Sequence, residues 1–250
     1  MSHSPQSDDR AEGANVWALV AAAGSGKRLA ADRPKAFVRL GDRVLLAESL
    51  ERLEESDWID EIVVAAPRDW EEPVILLADE LGAGKVRACV TGGATRAESV
   101  RAALAEVPEG AAVVLVHDAA RPLVTDDVIG RVLAPLGEGY DGAVPGLPLA
   151  DTVKRVRGEE VVETLERSEL VAAQTPQAFV ASVLRGALAG DASSASDCAS
   201  LVERRGGRIK VVPGDPRLLK ITGPTELELV AHWALEGRRG ATGEAGVRRW

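Results

Sequence analysis

The sequence predicts an α/β domain with a mostly parallel sheet and helices on both faces. Two observations predict it. Short β-branched runs alternate with stretches of helical spacing, and the first run is apolar on both of its faces.

Val16–Ala21 is apolar throughout, as a strand covered above and below must be. Over 44–56, Leu46, Leu50 and Leu53 recur at a helical interval. Glu61–Ala66 reads as a second strand, stopped by Pro67. A helix is expected over Glu71–Leu81, a strand over 86–90, and a helix over 95–107 with Val100, Leu104 and Val107 on one face. Val113-Val114-Leu115-Val116 is a buried strand. Residues 141–178 break this rhythm with a strand at 152–156, a polar turn at 157–160 and a strand at 161–165. A hairpin of alternating polarity needs a cover for its apolar face, and a partner subunit is one candidate. Helices near 180–189 and 196–205, a strand at 209–212 and a last helix from Thr225 complete the chain. The whole reads as a Rossmann-like sheet with an inserted β-hairpin dimerisation arm.

The 250 residues are 46% hydrophobic and carry a net charge of −9. Residues 15–236 suit one domain, while 1–14 and 237–250 lack apolar periodicity and are expected to be disordered tails. No apolar run reaches the roughly 18 residues of a membrane span. The N-terminal stretch has neither the basic head nor the apolar core of a signal peptide. Cytoplasmic location is therefore expected. Cys89 and Cys198 cannot build a disulfide framework or a four-ligand zinc site. An acidic balance disfavours a general nucleic-acid binder.

The richest segment is Ala21-Ala22-Ala23-Gly24-Ser25-Gly26-Lys27-Arg28-Leu29, directly after the first strand. Small residues there let backbone N–H groups approach a phosphate closely. The plain alternative is a tight strand-to-helix turn. Three familiar loops fail on spelling: a P-loop needs Gly where Ala21 stands, the dinucleotide fingerprint needs Gly at Leu29, and a nucleophile elbow needs Gly at Ala23 and Lys27. Charge decides for a ligand. Lys27, Arg28, Arg33 and Lys35 stand against Asp32 alone, and a nucleoside triphosphate is the natural partner for such a cluster. Asp118 ends a buried strand, where ligands gather in open α/β sheets; its alternative is a helix cap or an ion pair with Arg121. His117 is a solitary histidine with no metal cluster or triad, and is expected to pack or hydrogen-bond.

Six blocks in order then resemble the 2-C-methyl-D-erythritol 4-phosphate cytidylyltransferase family of the non-mevalonate isoprenoid pathway. They are Ala-Ala-Ala-Gly-x-Gly-x-Arg-Leu with Pro34-Lys35; Gly92-Gly93 with Arg96-Ala97-Glu98-Ser99-Val100; His117-Asp118-Ala119-Ala120-Arg121-Pro122; Asp151-Thr152-Val153-Lys154; Gln174-Thr175-Pro176-Gln177; and Leu219-Lys220-Ile221-Thr222-Gly223-Pro224. The resemblance implies CMP transfer from CTP to methylerythritol phosphate, with release of pyrophosphate. It places Arg28, Lys35 and Lys220 as catalytic cations. Asp118 falls near a divalent metal, Mg2+, as a ligand directly or through water. Ala22, Ala23, Gly24, Gly26, Gly92 and Gly93 would hold the nucleotide by backbone groups, with Ser99 supplying a hydroxyl. Arg121 and Thr152 of one subunit, with Arg167 and Thr175 on the arm of the other, would hold the alcohol phosphate. A homodimer with shared sites follows from that division.

The chain departs from the family pattern at Cys198, which stands where relatives carry an acid, and at Ala94, Thr95 and Leu218. The rival readings are a nucleotidyltransferase acting on ribitol phosphate or a sugar phosphate, a non-catalytic nucleotide-binding module, and a dinucleotide-dependent oxidoreductase.

Overall fold

The computed structural model describes residues 15–24, 26, 29, 32–190, 192 and 195–244. In chain order it runs through β1 (Val16–Ala21), a small hairpin of β2 (Arg39–Leu40) and β3 (Arg43–Val44), α1 (Leu45–Glu55), β4 (Glu61–Ala66) and α2 (Glu71–Leu81). Next come β5 (Val86–Thr91), α3 (Arg96–Ala105), β6 (Val113–Asp118), α4 (Asp126–Gly137), β7 (Gly142–Pro148), β8 (Lys154–Arg157) and β9 (Glu160–Thr164). The last elements are β10 (Val171–Ala173), β11 (Gln177–Val180), α5 (Ala181–Leu188), α6 (Cys198–Glu203), β12 (Ile209–Pro213) and α7 (Pro224–Glu244).

Eight strands make one mixed sheet. β5, β4, β1 and β6 lie side by side and parallel, and β11 is antiparallel to β6. β7 follows, paired antiparallel to β11 and β10 and parallel to β12. Gly142 pairs with both Phe179 and Ile209, so β12 lies on the edge of β7 opposite β11. Successive strand side chains alternate between two buried layers, as the pleat requires. Val16, Ala18 and Val20 join Leu46, Leu50 and Leu53 of α1, Val74 of α2 and Val128 of α4. Trp17 and Leu19 join Val100 and Leu104 of α3, Leu184 of α5 and Val202 of α6. A third, smaller core gathers Val38, Leu40, Leu45, Leu123 and Ile221 under Val230 and Ala234 of α7.

This topology positions the site. From β1 the chain passes through α1 to β4 on one side, whereas α3 returns it to β6 on the other. The crevice at the carboxyl ends of β1 and β6 is therefore a switch point, where open α/β sheets bind ligands. Ala21 and Asp118 are register partners there.

Several expectations are refined. The hairpin turn is tighter than 157–160, since the strands close to Arg157↔Glu160 around Gly158 at φ +60. Within 141–178 the projecting part is β8–β9 with the 3-10 turn Arg167–Glu169, while β7, β10 and β11 belong to the sheet. α4 and β7 had no counterpart in the sequence reading; Gly130 and Pro135 interrupt the helical pattern of the first, and Gly142, Pro145 and Gly146 dilute the second. Residues 237–244, expected in a tail, continue α7. The expected tails at 1–14 and 245–250 lie outside the described residues.

Candidate active site

Three short segments converge on a cavity of about 530 Å³ at the switch point. The first continues from β1 through Ala22, Ala23 and Gly24. The Lys35 backbone N–H donates to the Gly24 carbonyl at 3.1 Å, so the segment returns on itself and brings Lys35 to the cavity wall. Gly26, at φ +66, lies so close to Lys35 that a Cβ there would stand 3.1 Å from the lysine Cβ. Two features therefore favour glycine at this position, the left-handed backbone and the close approach.

The second segment is the turn before α3. Thr95 caps the helix reciprocally with Glu98: its hydroxyl accepts from the Glu98 N–H at 3.2 Å and its own N–H donates to Glu98 Oε2 at 3.0 Å. The cap directs the helix N-terminus, with Gly93, Ala94 and Arg96, at the cavity. Gly92 packs against the first segment so closely that a Cβ would fall 2.4 Å from that of Ala23. Ser99 lines the cavity, but its hydroxyl shapes this turn: it accepts from the Gly93 N–H at 3.1 Å and donates to the Thr95 carbonyl at 3.0 Å. Its proton is thus committed within the chain.

The third segment surrounds Asp118. Arg96 Nε donates to Oδ1 and Lys220 Nζ to Oδ2, each at 2.7 Å. Burial alone would raise this carboxyl, yet the two cations hold it well below the usual carboxylate range. Asp118 is therefore an ionised anchor for Arg96 and Lys220 and not a proton acceptor. Among the described cavity-lining residues, Lys35, Arg96 and Lys220 stand against Asp118 alone, which makes the cavity an anion site. Lys27 and Arg28 lie outside the described residues.

Beneath the carboxylate runs a buried relay. The Asp118 N–H donates to Thr175 Oγ1 at 3.0 Å, and that hydroxyl lies 3.4 Å from His117 Nδ1. His117 Nε2 faces the Arg121 carbonyl at 3.1 Å, which assigns the ring proton to Nε2. Burial lowers the His117 pKa from 6.5 to about 4, so the ring is neutral at pH 7. This agrees with a hydrogen-bonding histidine.

Thr175 requires a correction. It was expected on the arm, but it lies between β10 and β11, off the projecting hairpin, and is buried under Asp118, where its hydroxyl holds the end of β6. Arg121 is half-buried, and its Nη1 donates to the Leu218 carbonyl at 2.6 Å, two residues before Lys220. Thr152 is exposed, and Arg167, also exposed, donates to the Ala150 carbonyl. Neither lines the cavity in the single chain.

Two contributors were not singled out from the sequence as individual residues. Arg96 entered only as part of a block, yet the Thr95-x-x-Glu98 capping pattern could have placed it in the first turn of a helix facing the site. Gln174 clamps the chain ahead of Lys220: its amide donates to the Asp215 carbonyl at 2.9 Å and accepts from the Asp215 N–H at 3.0 Å. Local spacing carries no signal of that pairing. Cys198 is buried with its sulfur 3.4 Å from Arg96 Nη1, so a neutral thiol occupies the position facing that guanidinium. Burial pushes its pKa up.

No group of three or more His, Cys, Asp or Glu among the described residues could hold a metal. Direct ligation by Asp118 competes with its two ion pairs. A divalent cation that keeps its waters and binds phosphate oxygens needs only one nearby carboxylate, and Asp118 fits that need through a bound water.

A family model described as 2-C-methyl-D-erythritol 4-phosphate cytidylyltransferase matches residues 16–236. The protein of that name from Nocardia farcinica is 44% identical over 216 residues, covering 86% of this chain and 92% of the relative. Its namesake from Rhodococcus opacus is 45% identical over 223 residues, covering 89% and 96%. Among solved structures, the enzyme of that name from Thermus thermophilus superposes with a TM-score of 0.71 at 33% identity, covering 87% of this chain and 98% of that one.

Proposed function

The chain belongs to the 2-C-methyl-D-erythritol 4-phosphate cytidylyltransferase family, and we propose that the cavity at the β1–β6 switch point is where it carries out the family's reaction. It is a CTP-dependent enzyme of isoprenoid precursor synthesis that transfers CMP to methylerythritol phosphate. The observation that carries the site assignment is the convergence of Lys35, Arg96 and Lys220 on one cavity, the last two paired with the buried, ionised Asp118.

An oxygen of the alcohol's phosphate attacks the α-phosphorus of CTP. A new P–O bond forms, the bond to the oxygen bridging the α- and β-phosphates breaks, and pyrophosphate leaves with that electron pair. The nucleophile is already ionised, so no side chain has to remove a proton. Catalysis is then positioning and charge stabilisation. Lys35 and Arg28 hold the triphosphate, and Lys220 meets the charge that builds at the α-phosphate. Asp118 keeps Lys220 and Arg96 in place. The backbone groups of Ala22–Gly24, Gly26, Gly92 and Gly93 receive the nucleotide. Asp118 would hold, through water, a divalent cation such as Mg2+, which would supply additional charge neutralisation to the phosphates.

The alcohol phosphate is held by Arg121 with Thr152, and by Arg167 from the arm of a second copy in a homodimer. Val156 and Val161, register partners on the arm, are 57% and 55% exposed, which supports a cover by another protomer. Val161→Lys is expected to give monomers in sedimentation, and a dimer of wild-type strength would remove the arm from the interface.

Pyrophosphate release, measured with CTP and either methylerythritol phosphate or ribitol phosphate, tests the substrate assignment. Release with methylerythritol phosphate and CTP is expected. Faster release with ribitol phosphate would keep the site and move the substrate.

A further inference from the structure

Among the described residues, α7 contributes none to the cavity wall, yet it packs against the residues that flank Lys220 and that follow Lys35. Leu219 and Ile221 flank Lys220 in sequence, and both join the small core under α7. Val38 and Leu40, just beyond Lys35, join the same core, as does Leu29. Val230 and Ala234 of α7 close it; Val230 and Ile221 are fully buried and Ala234 is 1% exposed. Leu219 and Ile221 belong to neither of the two larger cores, whereas Ala36 and Phe37, next to Lys35, and Leu218 pack into the sheet core with α1 and α4.

Polar ties fix the same arrangement. The Ile221 N–H donates to the Ala120 carbonyl at 2.9 Å, two residues from Asp118. The Val38 N–H donates to the Lys35 carbonyl at 3.1 Å, and Leu45 reaches back to the Val38 carbonyl at 3.0 Å. At its start, α7 is held by Glu226 accepting from the Gly223 N–H at 2.7 Å. Farther along, Arg238 bonds Asp42 in the β2–β3 turn at 2.8 Å and Glu48 of α1 at 3.4 Å. One helix is thereby tied to the segment after Lys35 and to the segment carrying Lys220.

We propose that Val230 is a positioning residue for the reaction: through this small core it sets where Lys35 and Lys220 stand relative to each other. The inference rests on the proposed roles of those two lysines. Close-packed side chains transmit displacement because little free space absorbs it, and a small misplacement of reacting groups costs turnover steeply.

The test compares two Val→Ala changes at fully buried sites, Val230→Ala in the α7 core and Val132→Ala on α4 in the core of the sheet. Both variants are assayed well below their unfolding temperatures. Val230→Ala is expected to lower kcat about tenfold, with the KM for CTP changed less than about threefold, whereas Val132→Ala keeps kcat within about twofold. Val230→Ile, which overpacks the same site, is expected to lower kcat as well. Equal kcat in folded Val230→Ala and Val132→Ala would overturn the proposal. Should Val230→Ala fail to fold, Ile221→Val makes the decision, with a several-fold loss of kcat expected and an unchanged kcat refuting. Lys35→Ala and Lys220→Ala, run alongside, separate the two ideas: if neither slows turnover, the lysine assignment fails. If both do and Val230→Ala does not, only the positioning role fails.

Discussion

Lys220 Nζ donates to Asp118 Oδ2 at 2.7 Å across 102 positions of sequence, and this ion pair joins the end of β6 to the loop that leads into α7. With Arg96 on the other carboxylate oxygen, Asp118 is a hub for two cations. Asp118→Asn leaves the mostly buried Arg96 guanidinium without its anion. A loss of about 3 kcal/mol in unfolding free energy is expected, the scale of leaving a buried charge unpaired. Urea denaturation measures it, and a loss under about 1 kcal/mol would show that the pairs contribute little to folding.

His117 makes stability depend on pH in a defined direction. Its pKa falls on folding from 6.5 to about 4 because burial penalises the charged ring. Between those values the unfolded chain binds a proton that the folded chain does not, so stability falls as pH falls. About 3 kcal/mol is at stake across the window. Comparing unfolding free energies of wild type and His117→Gln at pH 7.5, 6 and 5 isolates the term. The wild-type curve is expected to drop more steeply, and parallel curves would contradict the assignment.

Gly92 holds two segments of the cavity wall together by lacking a side chain. A Cβ there would meet the Ala23 Cβ at 2.4 Å and Ser99 Oγ at 2.9 Å. Gly92→Ala must push the first segment and α3 apart, and overpacking of this kind weakens CTP binding by about tenfold. Calorimetric titration with CTP reads the change directly. Wild-type affinity would place the nucleotide away from this turn.

The central strands were legible because burial on both faces leaves uninterrupted apolar runs, as in Val16–Ala21 and 113–116. The cavity segments were legible for another reason: glycines and charges punctuate those runs at their carboxyl ends. α4 was hidden because Gly130 and Pro135 interrupt a helix whose stability comes from tertiary burial of Val128, Ile129 and Val132. Thr175 was misplaced because it follows the arm closely in sequence, while its place under Asp118 depends on a side-chain hydrogen bond across 57 positions. Arg96 needed the cap of α3 to be aimed, and Gln174 needed a partner 41 residues away.

The most direct test of the account is the single-turnover rate of Lys220→Ala with saturating CTP and methylerythritol phosphate, on protein shown to be folded by circular dichroism. Removing one charge contact made in the transition state is expected to slow the chemical step by at least about a hundredfold, while CTP affinity changes far less. A folded Lys220→Ala enzyme turning over at the wild-type rate would contradict the claim that this lysine stabilises charge at the α-phosphate.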